Sequence, residues 1–532
     1  MKIIKSFLLA GSLALVLTSC GGGAEVLSTP VENIDTIPLK EAELTENEKH
    51  NWGHLDLVKD TIPGMSVDKA YAEILKGKSG QTVIVAVIDS GIDIDHEDLD
   101  GVVWTNTDEI AGNGKDDDNN GYVDDIHGWN FLGEAYNEQL EKTRLLALGK
   151  GNAEVQADYD ADFQKYTGYK TQYDQIYQQI VTTDDALAAH LKKKDYTIKE
   201  VNAIKTEDET LKQHIAFANY LNSNGLESMA DAKEEISNGL ESINDMLNFN
   251  LNKEFNGRTT GDNPDDLNDL GYGDGNVKPV KKSESHGTHV AGIIAAERNN
   301  GKGANGVANN VKIMSLRAVP NGDEYDKDIA LAIRYAVDNG AKVINGSFGK
   351  YFSPHSDWVR DAIAYAGEND VLFINAAGNE GTDLDGKAVY PNDQVANGAE
   401  VSNTFVTVGA LAPKYGSGMV AGFSNYGKIN VDVFAPGAKV YSTTPENEYD
   451  TKGGTSMAAP AVAGVAALIR SYYPKLSAAQ VKQILMDSGL PIKTKVVVGG
   501  NSSDVRPFEG LTKSGKMVNA YNALIMAQQL SR

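Results

Sequence analysis

In Gln81-Thr82-Val83-Ile84-Val85-Ala86-Val87-Ile88 the residues from Val83 onward are an unbroken apolar run rich in β-branched side chains. A strand wetted on one face alternates polar with apolar side chains. A run without polar positions is a strand covered on both faces, as in a parallel sheet between helices. The run ends in Asp89-Ser90-Gly91. The carboxyl ends of strands line the functional crevice of an open α/β sheet, which makes Asp89 a candidate site residue.

Downstream, the pattern alternates. Strands are expected at 311–316, 342–345, 371–376 and 405–410, and helices at 326–338, 356–367 and 477–486. This predicts an α/β fold, a mainly parallel sheet with helices on both faces. Residues 133–256 break the pattern, since no proline occurs between Pro63 and Pro264. Tyr159, Phe163, Tyr166, Tyr169, Tyr173, Ile176, Tyr177 and Ile180 recur at steps of three and four, a helical stripe read as internal packing. Thr197-Ile198-Lys199-Glu200 and Thr206-Glu207-Asp208-Glu209 have capping-box form. The stretch reads as an inserted all-α subdomain, and residues 262–275 as the loop leading back to the body.

Three segments bear chemistry. Gly453-Gly454-Thr455-Ser456-Met457-Ala458-Ala459-Pro460 leads into the apolar helical run 461–469. It reads as a Gly-Ser helix cap or as a nucleophile in a first helical turn, where free N–H groups receive negative charge. His286-Gly287-Thr288-His289-Val290-Ala291-Gly292 opens a second apolar helix, and a histidine is the usual base for a serine nucleophile. The His-x-x-His spacing is weak as a metal pair, because no Glu stands between the histidines as in zinc helices. Ala376-Ala377-Gly378-Asn379 puts an amide donor at a strand end.

Val87 to Asp93, His286 to Gly292 and Gly454 to Pro460 resemble the three signature blocks of subtilisin-like serine peptidases, in the Asp, His, Ser order of that family. Asn379 resembles its oxyanion asparagine. The resemblance covers roughly residues 51–132 and 280–532. It implies a serine endopeptidase acting on polypeptides without a catalytic cofactor, with Ser456 as nucleophile, His286 as base, Asp89 orienting the histidine, and Asn379 with the Ser456 N–H receiving the oxyanion. It further implies that Ser347, Phe348 and Gly349 pair with an extended peptide, with residues 317–325 as the facing edge. Asp323 and Glu324 read there as exposed loop residues.

Asn113 to Asp125 alternates Asp116, Asp118 and Asn120 ahead of Gly121, with Asp124 following. Alternating oxygen side chains before a glycine wrap Ca²⁺ in an EF-hand, but the distal Glu of that loop is replaced by His127. A structural calcium site on Asp116, Asp118, Asn120 and Asp124 and a solvated acidic turn both fit.

Lys2 and Lys5 precede a short apolar core and Leu17-Thr18-Ser19-Cys20, an export signal over residues 1–20. Its end resembles a bacterial lipobox, which implies lipidation of Cys20, the one cysteine of the chain, and a membrane-anchored protein of the cell envelope. Residues 21–50 read as a flexible tether, 51–132 and 257–532 as the peptidase body, and 133–256 as the helical insert. With 74 acidic against 49 basic residues and a net charge of −25, nucleic acid and anionic membrane surfaces are disfavoured as partners. Because the insert separates Asp89 from His286, it reads as a lid or protein-partner module over the site, or as a surface elaboration.

Overall fold

The computed structural model describes residues 40–532. Cys20, the export signal and most of the expected tether lie outside the described residues. The tether ends earlier than expected: Glu46–Asn51 is a helix held by a complete capping box between Thr45 and Glu48. His50 stacks on Tyr441 at 3.9 Å, so this stretch is packed on the body.

The strands are β1 (Val83–Asp89), β2 (Gly128–Asn130), β3 (Val311–Arg317), β4 (Val343–Gly346), β5 (Leu372–Ala376), β6 (Phe405–Leu411), β7 (Val433–Pro436), β8 (Val440–Thr444), β9 (Glu448–Lys452), β10 (Leu490–Pro491), β11 (Lys495–Val498), β12 (Asn501–Pro507) and β13 (Lys516–Met517). Nine of them form one sheet in the order β10-β13-β7-β6-β5-β4-β1-β3-β2. Its ladders are parallel except for β10 with β13. β1 lies between β3 and β4, so the chain crosses it in going from one to the other, and Asp89 sits at the resulting switch point.

The apolar run of β1 serves two cores. Val83, Val85 and Val87 join one with Val290, Ile294, Ala458 and Val462, from the helices His286–Ala295 and Thr455–Tyr472. Ala86 and Ile88 join the other with Ile329, Ile333, Val359 and Ile363, from the helices Asp326–Asp338 and Ser356–Glu368. The helices that begin with His286 and Thr455 therefore share one face of the sheet.

The insert consists of the helices Glu141–Ala147, Ala153–Leu191, Ile198–Asn202, Glu209–Ser223 and Met229–Asp245. It has its own small core, including Ile180, Leu187, Leu211, Leu221 and Met229. Thr197 makes the expected capping box, but the second cap is Asp208, which accepts from the N–H groups of Thr210 and Leu211. The aromatic stripe is not continuous internal packing: Tyr159 is buried, whereas Phe163 and Tyr169 are exposed. Among the described residues no helix is long and apolar enough to cross a membrane.

Candidate active site

Asp89 is buried at the end of β1, where its Oδ1 accepts from Ser90 N at 2.7 Å and from His286 Nδ1 at 2.8 Å. Two glycines make this approach possible. Gly91 turns the chain at a φ of +103°, a conformation L side chains rarely adopt. A Cβ on Gly287 would stand 2.3 Å from the Gly91 carbonyl oxygen. Burial lowers the His286 pKa, but the Asp89 carboxylate outweighs it and the net shift is upward from 6.5. His289 is a structural residue. It is buried against the hairpin of β8 and β9, with Nε2 at 3.1 Å from Asp450 O, and burial takes its pKa down to about 3.

Ser456 lies in the first turn of the helix Thr455–Tyr472, as the glycine pair ahead of it suggested. Pro460, four residues on, has no N–H to give to the Ser456 carbonyl, so the helix leaves that oxygen open. Ser347 Oγ donates to it at 2.9 Å, and Ser456 Oγ donates in return to Ser347 O at 3.1 Å. Ser347 immediately follows β4, the neighbour of β1, so the serine pair and Asp89 flank the same crevice.

Asn379 follows β5 and reaches the same helix start. Its Oδ1 accepts from Thr455 N at 2.8 Å and Thr455 Oγ1 at 3.1 Å. A backbone N–H only donates, so the amide oxygen must face Thr455, which turns Nδ2 away from it on an exposed residue. An amide donor beside a first-turn serine can stabilise negative charge on an oxygen attached to an attacked carbon.

Phe348 is buried beside the serine pair, and Gly349 runs close to Tyr390 O, where a Cβ would stand at 3.0 Å. The facing edge differs from expectation. Arg317 is fully buried, paired with Glu284 at 2.7 Å. Glu324 is buried as well, and burial pushes its carboxyl up to about 8, while Asp323 Oδ2 accepts from Glu141 N at 2.8 Å. The charges read as exposed face the base of the insert and Lys350, because helix Glu141–Ala147 packs against this edge.

In the acidic loop the structure gathers Glu109, Asp118 and Asp125, with one oxygen of each within 4.8 Å of the others. Asp116 instead accepts from the N–H groups of Asn120 and Gly121, and Asp124 from those of Asn113 and Gly114. Asn120 points its NH₂ at Asp118 and Asp125. Glu109 was missed because it precedes the alternating motif, and only the folded loop brings it back. The hard oxygen donors fit Ca²⁺. The NH₂ groups of Asn106 and Asn120 now bridge Asp118 and Asp125, so a cation among these carboxylates would displace them.

Fold and constellation together define a class: a parallel α/β sheet carrying aspartate, histidine and serine around one crevice, with an amide at the serine. The chain belongs to the subtilase family, Peptidase S8, whose model matches residues 80–506. The thermophilic serine proteinase of Bacillus sp. (strain AK1) is 43% identical over 189 residues, which make up 35% of this chain and 43% of that protein. Subtilisin DY of Bacillus licheniformis is 38% identical over 202 residues, 38% of this chain and 68% of its own. Thermitase of Thermoactinomyces vulgaris is 36% identical over 197 residues, 37% of this chain and 64% of its own. The match thus spans from under half to about two thirds of these relatives.

Proposed function

We propose that the protein is a serine endopeptidase that hydrolyses polypeptides through Ser456, His286 and Asp89. Ser456 Oγ attacks the peptide carbonyl carbon while His286 Nε2 takes its proton and then delivers it to the leaving amine. Asp89 holds Nδ1–H and stabilises the imidazolium that forms. Asn379 Nδ2 and the Ser456 N–H receive the oxyanion. The observation that carries this reading is the Asp89–His286 hydrogen bond of 2.8 Å on the sheet face that also bears the Ser456 helix start. A peptide lying along Ser347–Gly349 would bring its own N–H to Ser347 O, freeing Ser456 Oγ to turn toward His286. The test is labelling by a diphenyl phosphonate. Wild-type protein is expected to label at Ser456 and Ser456→Ala to remain folded and unlabelled; undiminished labelling of the variant would sink the assignment.

Two further parts extend the proposal, one resting on the sequence and one on the folded acidic loop. Export and lipidation at Cys20 would tether the enzyme to a membrane of the cell envelope, checked by globomycin-sensitive processing and loss of membrane association in Cys20→Ala. Structural calcium at the loop of Glu109, Asp118 and Asp125 is supported by its oxygen donors.

A further inference from the structure

The two edges assigned to peptide pairing follow β3 and β4, and these strands are not neighbours, because β1 lies between them. Neighbouring strands stand 4.7–4.9 Å apart, so the edges diverge from positions about 9.6 Å apart, room for one extended peptide. Among the described residues, no ladder of the sheet holds that width past Arg317 and Gly346.

A buried cluster ties the far ends of the edges together. Lys350, next to Gly349, donates from Nζ to Glu324 O across the slot at 2.7 Å and to Glu141 Oε2 of the insert at 2.9 Å. Its ammonium also lies 2.9 Å from Asp326 Oδ1. Arg144 donates to Glu141 Oε2 at 2.6 Å, Asp323 O at 2.8 Å and Glu324 O at 3.1 Å. Its guanidinium rests on the Tyr325 ring at 4.0 Å. Burial works against the Glu141 charge, yet Arg144 and Lys350 hold its carboxyl down at about 2. The insert adds backbone pairing to the same edge: Glu138 N donates to Asn321 O at 3.0 Å and Asn321 N to Tyr136 O at 2.8 Å.

We infer that Lys350, held by Glu141 and Arg144 of the insert, is a positioning residue that fixes the spacing of the two peptide-binding edges. The insert thereby governs how firmly a peptide is gripped, while the chemistry at Ser456 stays with the body. This inference rests on the endopeptidase reading. Excising residues 135–255 would test it badly, since that removes Glu141 and Arg144 together and leaves Lys350 with only Asp326 and Glu324 O of the partners named above. Point variants serve better. In Lys350→Met, Glu141 keeps Arg144 as its partner.

The experiment compares wild type, Lys350→Met, Lys350→Arg and Glu141→Gln in the full chain. Substrates are a tetrapeptide p-nitroanilide, which reaches both edges, and acetyltyrosine ethyl ester, which does not. Lys350→Met is expected to raise KM for the tetrapeptide about tenfold with kcat reduced less than threefold, and to change ester kcat/KM far less, the pattern of lost ground-state binding. Lys350→Arg should recover most of the loss. Should Lys350→Met fail to fold, a raised tetrapeptide KM in Glu141→Gln supports the inference, and a lowered melting temperature with unchanged KM overturns it. Equal losses on ester and tetrapeptide in Lys350→Met also overturn it. Wild-type protein that takes no phosphonate label defeats the endopeptidase reading and the inference with it. Labelled wild type with unchanged KM in both variants defeats the inference alone.

Discussion

Ser347 and Ser456 hold each other by two hydrogen bonds, each hydroxyl donating to the other's carbonyl oxygen, at 2.9 and 3.1 Å. Pro460 makes the exchange possible by leaving the Ser456 carbonyl without a helical donor. On the proposed reading, the peptide-binding edge and the nucleophile form a single hydrogen-bonded unit, so occupancy of the edge would be felt directly at the Ser456 hydroxyl.

Asn379→Ala is expected to lower kcat by about 10²–10³ with little change in KM, because loss of one oxyanion donor costs about 2.7–4 kcal/mol, a figure established on a subtilisin. Oδ1 also accepts from Thr455, so a small fall in melting temperature accompanies it. Steady-state kinetics on a chromogenic peptide checks this; a KM-only effect would assign Asn379 to substrate binding instead.

The pH profile follows from the Asp89–His286 pair. The base must be neutral to accept a proton, and its pKa is raised, so the acid limb of kcat/KM is expected to have its midpoint above 6.5. Asp89→Asn removes the carboxylate and leaves burial and the Lys452 charge, both of which act downward. The midpoint then moves below 6.5, and the rate falls by about 10⁴ as the histidine loses its orienting partner. For stability the sign is opposite to that of activity. A raised histidine pKa contributes fully below 6.5, and the contribution is lost as pH rises through the folded value. An acid limb that stays in place in Asp89→Asn would contradict the assignment.

Glu284→Ala is expected to destabilise the protein by about 3–5 kcal/mol, measured by urea unfolding, because it strands the buried Arg317 guanidinium. Arg317 also donates to Asn130 Oδ1 and to the carbonyl oxygens of Gly133 and Ala135, where the chain leaves the body for the insert. Glu284→Gln, which keeps an acceptor, should cost less. A change under about 1 kcal/mol in Glu284→Ala would mean that solvent reaches the guanidinium.

Chelation is expected to lower the melting temperature, and calcium to restore it, in wild type but not in Asp118→Asn or Glu109→Gln. Melting that ignores calcium in the wild type would leave the loop held by its own hydrogen bonds, those of Asn106 and Asn120 among them.

Much of this was legible because it is local. β1 announced itself as an uninterrupted apolar run, and the His286 and Ser456 blocks each carried glycines and a helix start. What escaped depends on distant partners. β2 and β7 are too short to show a period of their own, and exist as strands through their ladders, β2 with β3 and β7 with β6 and β13. Glu324 looked exposed because its burial comes from Lys350 and the insert. The aromatic stripe had helical spacing, but spacing reveals a face and not whether another element covers it; Phe163 and Tyr169 remain in solvent. Asp208 displaced Thr206 as a cap because two N–H groups lie within its reach.

The position of β1 in the sheet also sets an order of events during synthesis. Both neighbours of Val83–Asp89 lie far downstream, at Val311–Arg317 and Val343–Gly346. The entire insert is made before either appears, and its core, with the half-buried residues packed on it, draws on residues between Ile176 and Ile236. The ribosome therefore releases a segment able to close on itself while the central strand still waits, unpaired, for partners more than two hundred residues away. Ser456 comes later still, so the proposed nucleophile is the last of the three chemical residues to join, and no chain that stops short of it holds all three.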